Sequence, residues 1–482
     1  MEREKTFRNY MTIDIAKANR YNPEIFKSCC ANDQERVAKS IDEQLWICMR
    51  EGDVASKLLS SEFCPICTHE DVKDMRPAIE DLGHIAITYA CKTPDILMEM
   101  KGILETHEDF IEVGADIAFD AVDHWCPGEQ SGRQFGDRAS ADQLIGVKAL
   151  KDAGLDGDGV HVVIVDRGLN KDDVEGKLKG RFGGGWAIVP QNGEPPIQPG
   201  ALNVVRGVTN NEHGMMIARN ILRVAPKVCL YDLPLIPPRI LGLPIFLSNA
   251  QAAFERVLAD LQARGAKDKG EKWILVNAWA PFDRMSEVPR GNYSENPSHP
   301  FLKLIGEMAD HNIEMVFAAG NCGQFCPDPR CGAYDVGPGE SVYGANAHPA
   351  VLTVGAITAH SIGIGFSSQG ADPDTLARVK PHLGPLAREK PDLAAPSMFS
   401  EQSDRHTRNG GTSAACAMVA GVLAALRERW GPKDVSLDAM KQCLRETARR
   451  HGQAGWDARL GFGVIDAEAA LSQLAQRSNA AQ

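Results

Sequence analysis

The fold of this chain is decided by Gly410-Gly411-Thr412-Ser413-Ala414-Ala415-Cys416-Ala417-Met418-Val419-Ala420-Gly421. Small residues follow a pair of glycines, which predicts a helix narrow enough to be buried. Ser413 lies in the first turn of that helix, where the helix dipole and backbone N–H groups without intrahelical acceptors stabilise a developing oxyanion. We therefore expect a serine hydrolase in which Ser413 is the nucleophile.

A nucleophilic serine needs a base and a carboxylate that orients the base, and two upstream segments supply them. The β-branched run Val160–Val165 predicts a central parallel strand, and Asp166 follows at its carboxyl end, where open α/β sheets place their chemistry. His213 precedes apolar residues at helical spacing, which places it at a helix N-terminus. A third strand, residues 315–319, leads to Asn321, whose side-chain amide is a candidate oxyanion donor.

Each of these four residues has a simpler interpretation when it is taken alone. Asp166 suits a loop cap, His213 a helix start, Asn321 a turn beside glycine, and Ser413 a helix cap. Their joint placement at strand ends and helix starts favours the catalytic interpretation over four unrelated coincidences.

The chain order Asp, His, Asn, Ser, with a glycine close to each, resembles that of the subtilisin-like serine proteases, or subtilases, over residues 140 to 470. Three further segments resemble family segments: Lys390–Pro396 ahead of the serine, Leu352–Ala356 as a core strand, and Gly461–Ala467 as the turn into a last helix. The resemblance implies an α/β fold with a mainly parallel central sheet and helices on both faces.

The resemblance also implies roles for the residues of the site. Asp166 would orient His213, which would take the proton of Ser413 during attack on a peptide carbonyl. Asn321 and the backbone N–H of Ser413 would hold the oxyanion.

Substrate binding is implied for the edge Trp279, Ala280 and Pro281, and for Ala319 and Gly320. Here the chain departs from the family pattern, because Trp279 adds bulk and proline has no N–H to donate to a substrate strand. Arg167 also replaces the small hydroxyl residue that usually follows the aspartate in the family.

Composition limits the partners that we expect. A net charge of -12 argues against nucleic acid, since phosphate binding requires a basic face. No apolar run is long enough to span a membrane. The first residues lack the apolar segment of a secretory signal, and the 13 cysteines form no regular framework, so we expect a cytoplasmic protein with mostly reduced thiols.

Three regions are expected: a helical N-terminal region at residues 1–80, an α+β segment resembling a pro-domain with its linker at 81–140, and the catalytic domain at 141–475. The linker Cys126–Arg133 is expected in or near the cleft, as an inhibitor or a cleavage site. The alternative is a permanent accessory domain that offers a surface to a regulatory protein partner.

No cofactor is required by this chemistry, although the family resemblance implies that calcium is a candidate. Two cysteine clusters suggest zinc less strongly than they suggest ordinary thiols. One is Cys64, Cys67 and His69. The other is Cys322, Cys326 and Cys331, for which loop packing or a redox-sensitive pair are the alternatives.

The sequence thus predicts a serine endopeptidase acting on a polypeptide substrate. The alternatives are a catalytically silent peptide-binding protein or interaction module, and an esterase of small acyl compounds.

Overall fold

The structure is a computed structural model, and it describes residues 7–14, 63–64, 84–91, 98, 101, 110–122, 136–186, 212–236, 245–339, 341–371, 389–401, 408–450 and 455–480. Within these ranges, the strands of the main sheet follow the β-branched and apolar runs of the sequence.

Seven parallel strands form the central sheet, in the order β14-β13-β12-β10-β6-β8-β7. Their bounds are β6 Val160–Val165, β7 Arg181–Gly185, β8 Cys229–Leu233, β10 Lys272–Asn277, β12 Ile313–Ala318, β13 Leu352–Ile357 and β14 Leu393–Pro396. Strands β12 and β13 are buried at every residue, as expected for strands covered on both faces.

Helices cover both faces of this sheet. Their bounds are α1 Arg138–Leu144, α2 Val147–Asp152, α3 Glu212–Val224, α4 Leu247–Ala263, α5 Ala266–Lys269, α6 Pro300–Asp310, α7 Gly411–Arg429, α8 Leu437–Thr447 and α9 Ala467–Ala480. Alternate residues of β6 show the two layers: Val162 packs in the cluster that contains α3 and α7, and Val163 packs in the cluster that contains α4 and α6. The predicted α/β fold with helices on both faces is confirmed.

Helix α7 is the buried helix that the small residues predict, since Gly411 to Arg427 are all buried. Small side chains also let it lie directly against α3. A Cβ atom added at Gly421 would come within 2.8 Å of Cβ of Val224, so a larger residue there would push the two helices apart. These two helices carry Ser413 and His213 in their first turns.

A second sheet lies in the N-terminal part of the chain, in the order β2-β3-β1-β4. Its strands are β1 Phe7–Asp14, β2 Phe63–Cys64, β3 His84–Cys91 and β4 Phe110–Ala115. We expected residues 7–14 in a helical region, but they form β1, which pairs antiparallel with β3 and β4. Pairing over such long sequence separations overrides local helical preference and cannot be inferred from local periodicity. Strands β3 and β4 lie within residues 81–140, for which an α+β segment is predicted.

Three short strands form a small sheet in the order β11-β5-β9: β5 Ala118–Ala121, β9 Ile245–Phe246 and β11 Trp279–Pro281. Both neighbours pair antiparallel with β5. Two more short strands, β15 Phe399–Ser400 and β16 Arg408–Asn409, precede α7. Among the described residues, no helix combines the length and apolar character needed to cross a bilayer.

Candidate active site

Asp166, His213 and Ser413 meet although the sequence separates the first from the last by more than half of the chain. Nδ1 of His213 lies 2.9 and 2.8 Å from the two carboxylate oxygens of Asp166, and Nε2 lies 3.0 Å from Oγ of Ser413. Because a carboxylate only accepts hydrogen bonds, Nδ1 carries the proton, and Nε2 is left to accept from the serine hydroxyl. All three side chains are buried.

A close backbone approach brings the histidine to the aspartate. Asp166 follows β6, and His213 is in the first turn of α3. A Cβ atom at Gly214 would lie 2.4 Å from the carbonyl oxygen of Gly168 in the loop after Asp166. Glycine is therefore required at 214 for α3 to approach this strand end closely enough for the Asp166–His213 hydrogen bond.

The first turn of α7 presents Ser413. Gly410 is the N-terminal cap, and the N–H of Ala414 bonds to its carbonyl, so the N–H of Ser413 has no acceptor within the helix. Oγ of Ser413 also lies 3.4 Å from the carbonyl oxygen of Ala278.

Thr412 fixes the orientation of Asn321. Oδ1 of Asn321 accepts from the N–H and from the hydroxyl of Thr412, both at 3.0 Å. Since a backbone N–H must face an oxygen, Nδ2 of Asn321 points the other way, where it donates to the carbonyl oxygen of Val122 at 2.5 Å. The amide is thus aimed at a peptide carbonyl of the chain itself.

That carbonyl belongs to a segment that lies in the cleft as an extended strand. The N–H of Val122 bonds to the carbonyl of Ala278 at 2.9 Å, and β5 immediately before it is paired on both sides, by β9 and by β11. An extended segment that adds a strand to an exposed sheet edge is a general mode of peptide recognition. Residues 118–122 have this strand-addition geometry.

The family model for the subtilase family matches residues 157–463, which is more than half of the chain. The chain belongs to the subtilase family.

One solved structure supports the fold of this subtilase. Fervidolysin from Fervidobacterium pennivorans, described as a keratinolytic enzyme related to subtilisin, is 14% identical with a TM-score of 0.53, and the match covers 97% of this chain and 61% of that chain. MycP1 from the ESX-1 type VII secretion system is 20% identical with a TM-score of 0.46, over 74% of this chain and 89% of that chain.

The edge predicted to bind substrate in this subtilase is occupied by β5. Trp279, Ala280 and Pro281 are the residues of β11, opposite Ala121, Asp120 and Phe119 in that order. Pro281 does not prevent the pairing, because it is the last residue of the strand. The side chain of Trp279 is buried among Phe119, Phe254, Phe301 and Phe317, so its bulk fills the core beneath the cleft.

Ala319 and Gly320 lie beside the amide of Asn321. The N–H of Ala319 bonds to Val354, and the N–H of Gly320 donates to the hydroxyl of Thr412 at 3.2 Å. Gly320 has a positive φ of 107°, which glycine adopts without strain. The two residues thus connect β12 to Asn321; the structure shows them bonded within the protein.

Two further contacts hold the segment before β5 against the catalytic domain. The carboxylate of Asp116 accepts from the N–H and the hydroxyl of Ser248, both at 3.0 Å, at the start of α4. Nε2 of His299 lies 3.0 Å from the carbonyl oxygen of Ala115, and Nδ1 accepts from the N–H of Phe301. Burial lowers the pKa of His299 to about 3, so the ring is neutral and donates through Nε2.

The expected cleft occupant was the linker Cys126–Arg133, which lies outside the described residues. The place of the linker therefore stays a prediction, and the described residues just before it, 118–122, lie beside Asn321 and β11. No pattern in the sequence indicated β5, because a four-residue strand that pairs with distant partners has no periodicity of its own. Thr412 was also missed as a partner of Asn321, although it directly precedes Ser413.

A disulfide joins Cys322 and Cys331, two of the three cysteines in the loop after Asn321. A bonded pair was one of the alternatives, and it leaves Cys326 as the remaining thiol of this loop. In the described ranges, no group of three or more His, Cys, Asp or Glu residues is arranged to hold a metal ion. The cluster Cys64, Cys67 and His69 falls mostly outside those ranges. Disulfides persist mainly in oxidising compartments, so this bond argues against the predicted cytoplasmic location. The location itself stays a prediction.

Proposed function

We propose that this subtilase is a serine endopeptidase in which Asp166, His213 and Ser413 form the catalytic triad and Asn321 is an oxyanion donor. The proposal is supported most directly by the amide of Asn321, which donates to a peptide carbonyl beside a serine that is hydrogen-bonded to a buried histidine. General-base catalysis and oxyanion stabilisation both require such an arrangement.

Each group has a defined role in the proposed reaction. Oγ of Ser413 attacks the carbonyl carbon, and Nε2 of His213 takes the hydroxyl proton. Asp166 holds Nδ1–H and stabilises the imidazolium that forms. The oxyanion accepts from Nδ2 of Asn321 and from the N–H of Ser413. The C–N bond breaks as His213 returns the proton to the leaving amine, and water hydrolyses the acyl-serine by the same route. This scheme uses groups of the chain and needs no metal or cofactor.

The same arrangement makes the chain its own first substrate. The carbonyl of Val122, the residue after β5, accepts from the proposed oxyanion donor Asn321. This carbonyl belongs to the peptide bond Val122–Asp123. We therefore propose that the chain is cut after Val122 and that the N-terminal segment inhibits the enzyme until it leaves.

Mass analysis of the intact chain tests this function. Wild type is expected to yield an N-terminal product ending at Val122 and a C-terminal product beginning at Asp123, while Ser413→Ala stays intact. The purified wild type should then hydrolyse a denatured protein substrate, whereas Ser413→Ala should not. An intact wild-type chain without hydrolysis of any protein substrate would contradict the proposal.

The occupied cleft also favours a second candidate, a silent peptide-binding protein that keeps β5 permanently. Under that alternative, wild type and Ser413→Ala bind peptides equally and neither cleaves them. The mass analysis separates the two candidates.

A further inference from the structure

Arg167 and Arg330 hold the carboxylate of Asp120, and Asp120 occupies a defined position in the segment that lies in the cleft. If Val122, whose carbonyl faces Asn321, is position 1, then Ala121 is position 2 and Asp120 is position 3, counted toward the N-terminus. In the small sheet, Asp120 pairs with Ala280 of β11.

Each arginine takes a different oxygen of this carboxylate. Nη2 of Arg167 lies 2.9 Å from Oδ1 of Asp120, and Nη1 of Arg330 lies 2.6 Å from Oδ2. The same Nη1 donates to the backbone carbonyl of Ala121 at 3.1 Å. Arg330 therefore recognises both the side chain at position 3 and the backbone next to it.

Contacts within the catalytic domain position Arg330 independently of Asp120. Nε and Nη2 bind the two oxygens of Asp328, at 2.9 and 2.8 Å, and the guanidinium stacks on the ring of Phe282 at 3.9 Å. Asp328 is buried. The fork of the guanidinium is thus fixed on two sides, and Nη1 is directed at the cleft. Such pre-organisation suits an arginine that binds carboxylates.

Charge and exposure agree with a binding role. Arg167 is 10% exposed and Arg330 is 26% exposed, so water screens both less than it screens a surface pair. Among the groups of this cluster, two arginines face Asp328 and Asp120. Both guanidinium groups are cationic, so an acidic side chain at the position of Asp120 is complementary to them.

We propose that Arg167 and Arg330 form a subsite that selects Asp or Glu at the third residue before the cleaved bond, in protein substrates as well as in β5. The inference rests on the proposed function for its substrate part. A carboxylate bound by two arginines makes charge-assisted hydrogen bonds, which are stronger than neutral ones. We expect about a 10- to 100-fold preference for Asp over Asn at this position.

The first test uses peptides that copy residues 119–125, Phe-Asp-Ala-Val-Asp-His-Trp, with Asp, Asn or Lys at the position of Asp120. The ratio of kcat/KM for two peptides on the same full chain does not depend on how many molecules have an open cleft. The Asp peptide is expected to exceed the Asn peptide by at least about 10-fold, with the Lys peptide slowest. In Arg330→Gln this ratio should fall toward one. Equal rates for the Asp and Asn peptides in wild type would overturn the subsite.

The second test needs no catalysis and is made in the Ser413→Ala chain. Hydrogen exchange of the backbone amides of residues 118–122 should be faster in Asp120→Asn than in the parent, and faster still in Asp120→Lys. The charge-reversed double variant, Asp120→Lys with Arg330→Glu, should recover part of the protection. Asp158→Asn, which removes the exposed partner of Arg181, is the matched control and should change nothing in β5. Unchanged exchange in Asp120→Lys would overturn the subsite.

The two tests separate the subsite from the catalytic proposal. If exchange responds to Asp120 but no peptide is cleaved, the subsite stands as a binding site for acidic side chains and the endopeptidase proposal fails. If peptides are cleaved without regard to charge at position 3, the endopeptidase proposal stands and the subsite fails.

Discussion

The orientation of the Asn321 side-chain amide is determined by the residues to which it is hydrogen-bonded. The side-chain amide of Asn321 has an oxygen and a nitrogen. Thr412 donates to the oxygen, so only the nitrogen is left to donate to a carbonyl in the cleft. The side chain is buried, and a rotated amide would place two donors against the N–H of Thr412. The amide that we propose as the oxyanion donor is therefore held in one orientation by Thr412.

Asn321→Ala is expected to lower kcat by about 100- to 1,000-fold with little change in KM, because the interaction strengthens in the transition state. Thr412→Val keeps the backbone donor and loses the hydroxyl, so its loss of kcat should be smaller. Steady-state hydrolysis of one peptide by both variants measures this. Wild-type kcat in Asn321→Ala would remove Asn321 from the mechanism.

Asp232 is a buried carboxyl group on β8, the strand beside β6. Burial, together with a smaller effect of the nearby charge of Asp166, raises its pKa to about 8. An unfolded aspartate has a pKa of about 3.9. The folded protein therefore binds more protons than the unfolded chain between these two values, so this residue makes the free energy of unfolding fall as the pH rises from about 4 to about 8.

Asp232→Asn should remove this loss, since an amide does not titrate. In the Ser413→Ala background, we expect the Tm of Asp232→Asn relative to its parent to rise steadily between pH 5 and pH 8. Thermal unfolding at several pH values measures the difference. A Tm difference that is constant over this range would show that Asp232 does not keep its proton in the folded state.

Elements with local signals could be predicted from the sequence, and elements with distant partners could not. A β-branched run identified β6, an apolar run identified β12, and small residues identified α7, because burial on all sides determines those sequences. The three strands around the cleft are short, and β5 exists only because β9 and β11 flank it. Arg167 was noticed as a departure from the family, yet its partner Asp120 is 47 residues away in the sequence.

The loop after Asn321 is closed by the disulfide between Cys322 and Cys331, nine residues apart. It carries Arg330 and Asp328 and begins beside the oxyanion donor. Closing a loop of about ten residues reduces the entropy of the unfolded chain by an amount worth about 2–3 kcal/mol. The disulfide therefore also connects the proposed subsite to the oxyanion donor.

Cys322→Ser combined with Cys331→Ser should lower the free energy of unfolding of Ser413→Ala by about 2–3 kcal/mol. A reducing agent should lower the Tm of the parent and leave that of the double cysteine variant unchanged. Denaturant unfolding with and without reductant provides both measurements. A parent protein insensitive to reductant would contradict a stabilising role for the bond.

At the scale of the whole molecule, the segment before residue 123 contributes β5 to the small sheet beside the proposed active site. Asp116, His299 and the small sheet hold residues 115–122 at contacts spread along the segment. The domain boundaries at 80 and 140 and a regulatory partner of the N-terminal region stay predictions. Removal of one contact outside the triad should weaken inhibition without touching the reacting groups.

Asp116→Ala removes the carboxylate that caps α4, which typically costs about 0.5–2 kcal/mol. Loss of this contact should weaken the binding of residues 115–122 in the cleft by that free energy. Peptide hydrolysis by the full chain should then begin about 2- to 30-fold faster than in wild type. Initial rates measured before any cut after Val122 test this. A slower rate than that of wild type would show that the segment supports activity.

The central claim is that a buried carboxylate and imidazole make the hydroxyl of Ser413 reactive, and its most direct test is labelling by a fluorophosphonate probe followed by peptide mapping. We expect the label on Ser413 in wild type, faster labelling in Asp116→Ala, and none in His213→Ala or Ser413→Ala. Absence of label at Ser413 even in Asp116→Ala, or equal labelling in His213→Ala, would contradict the account.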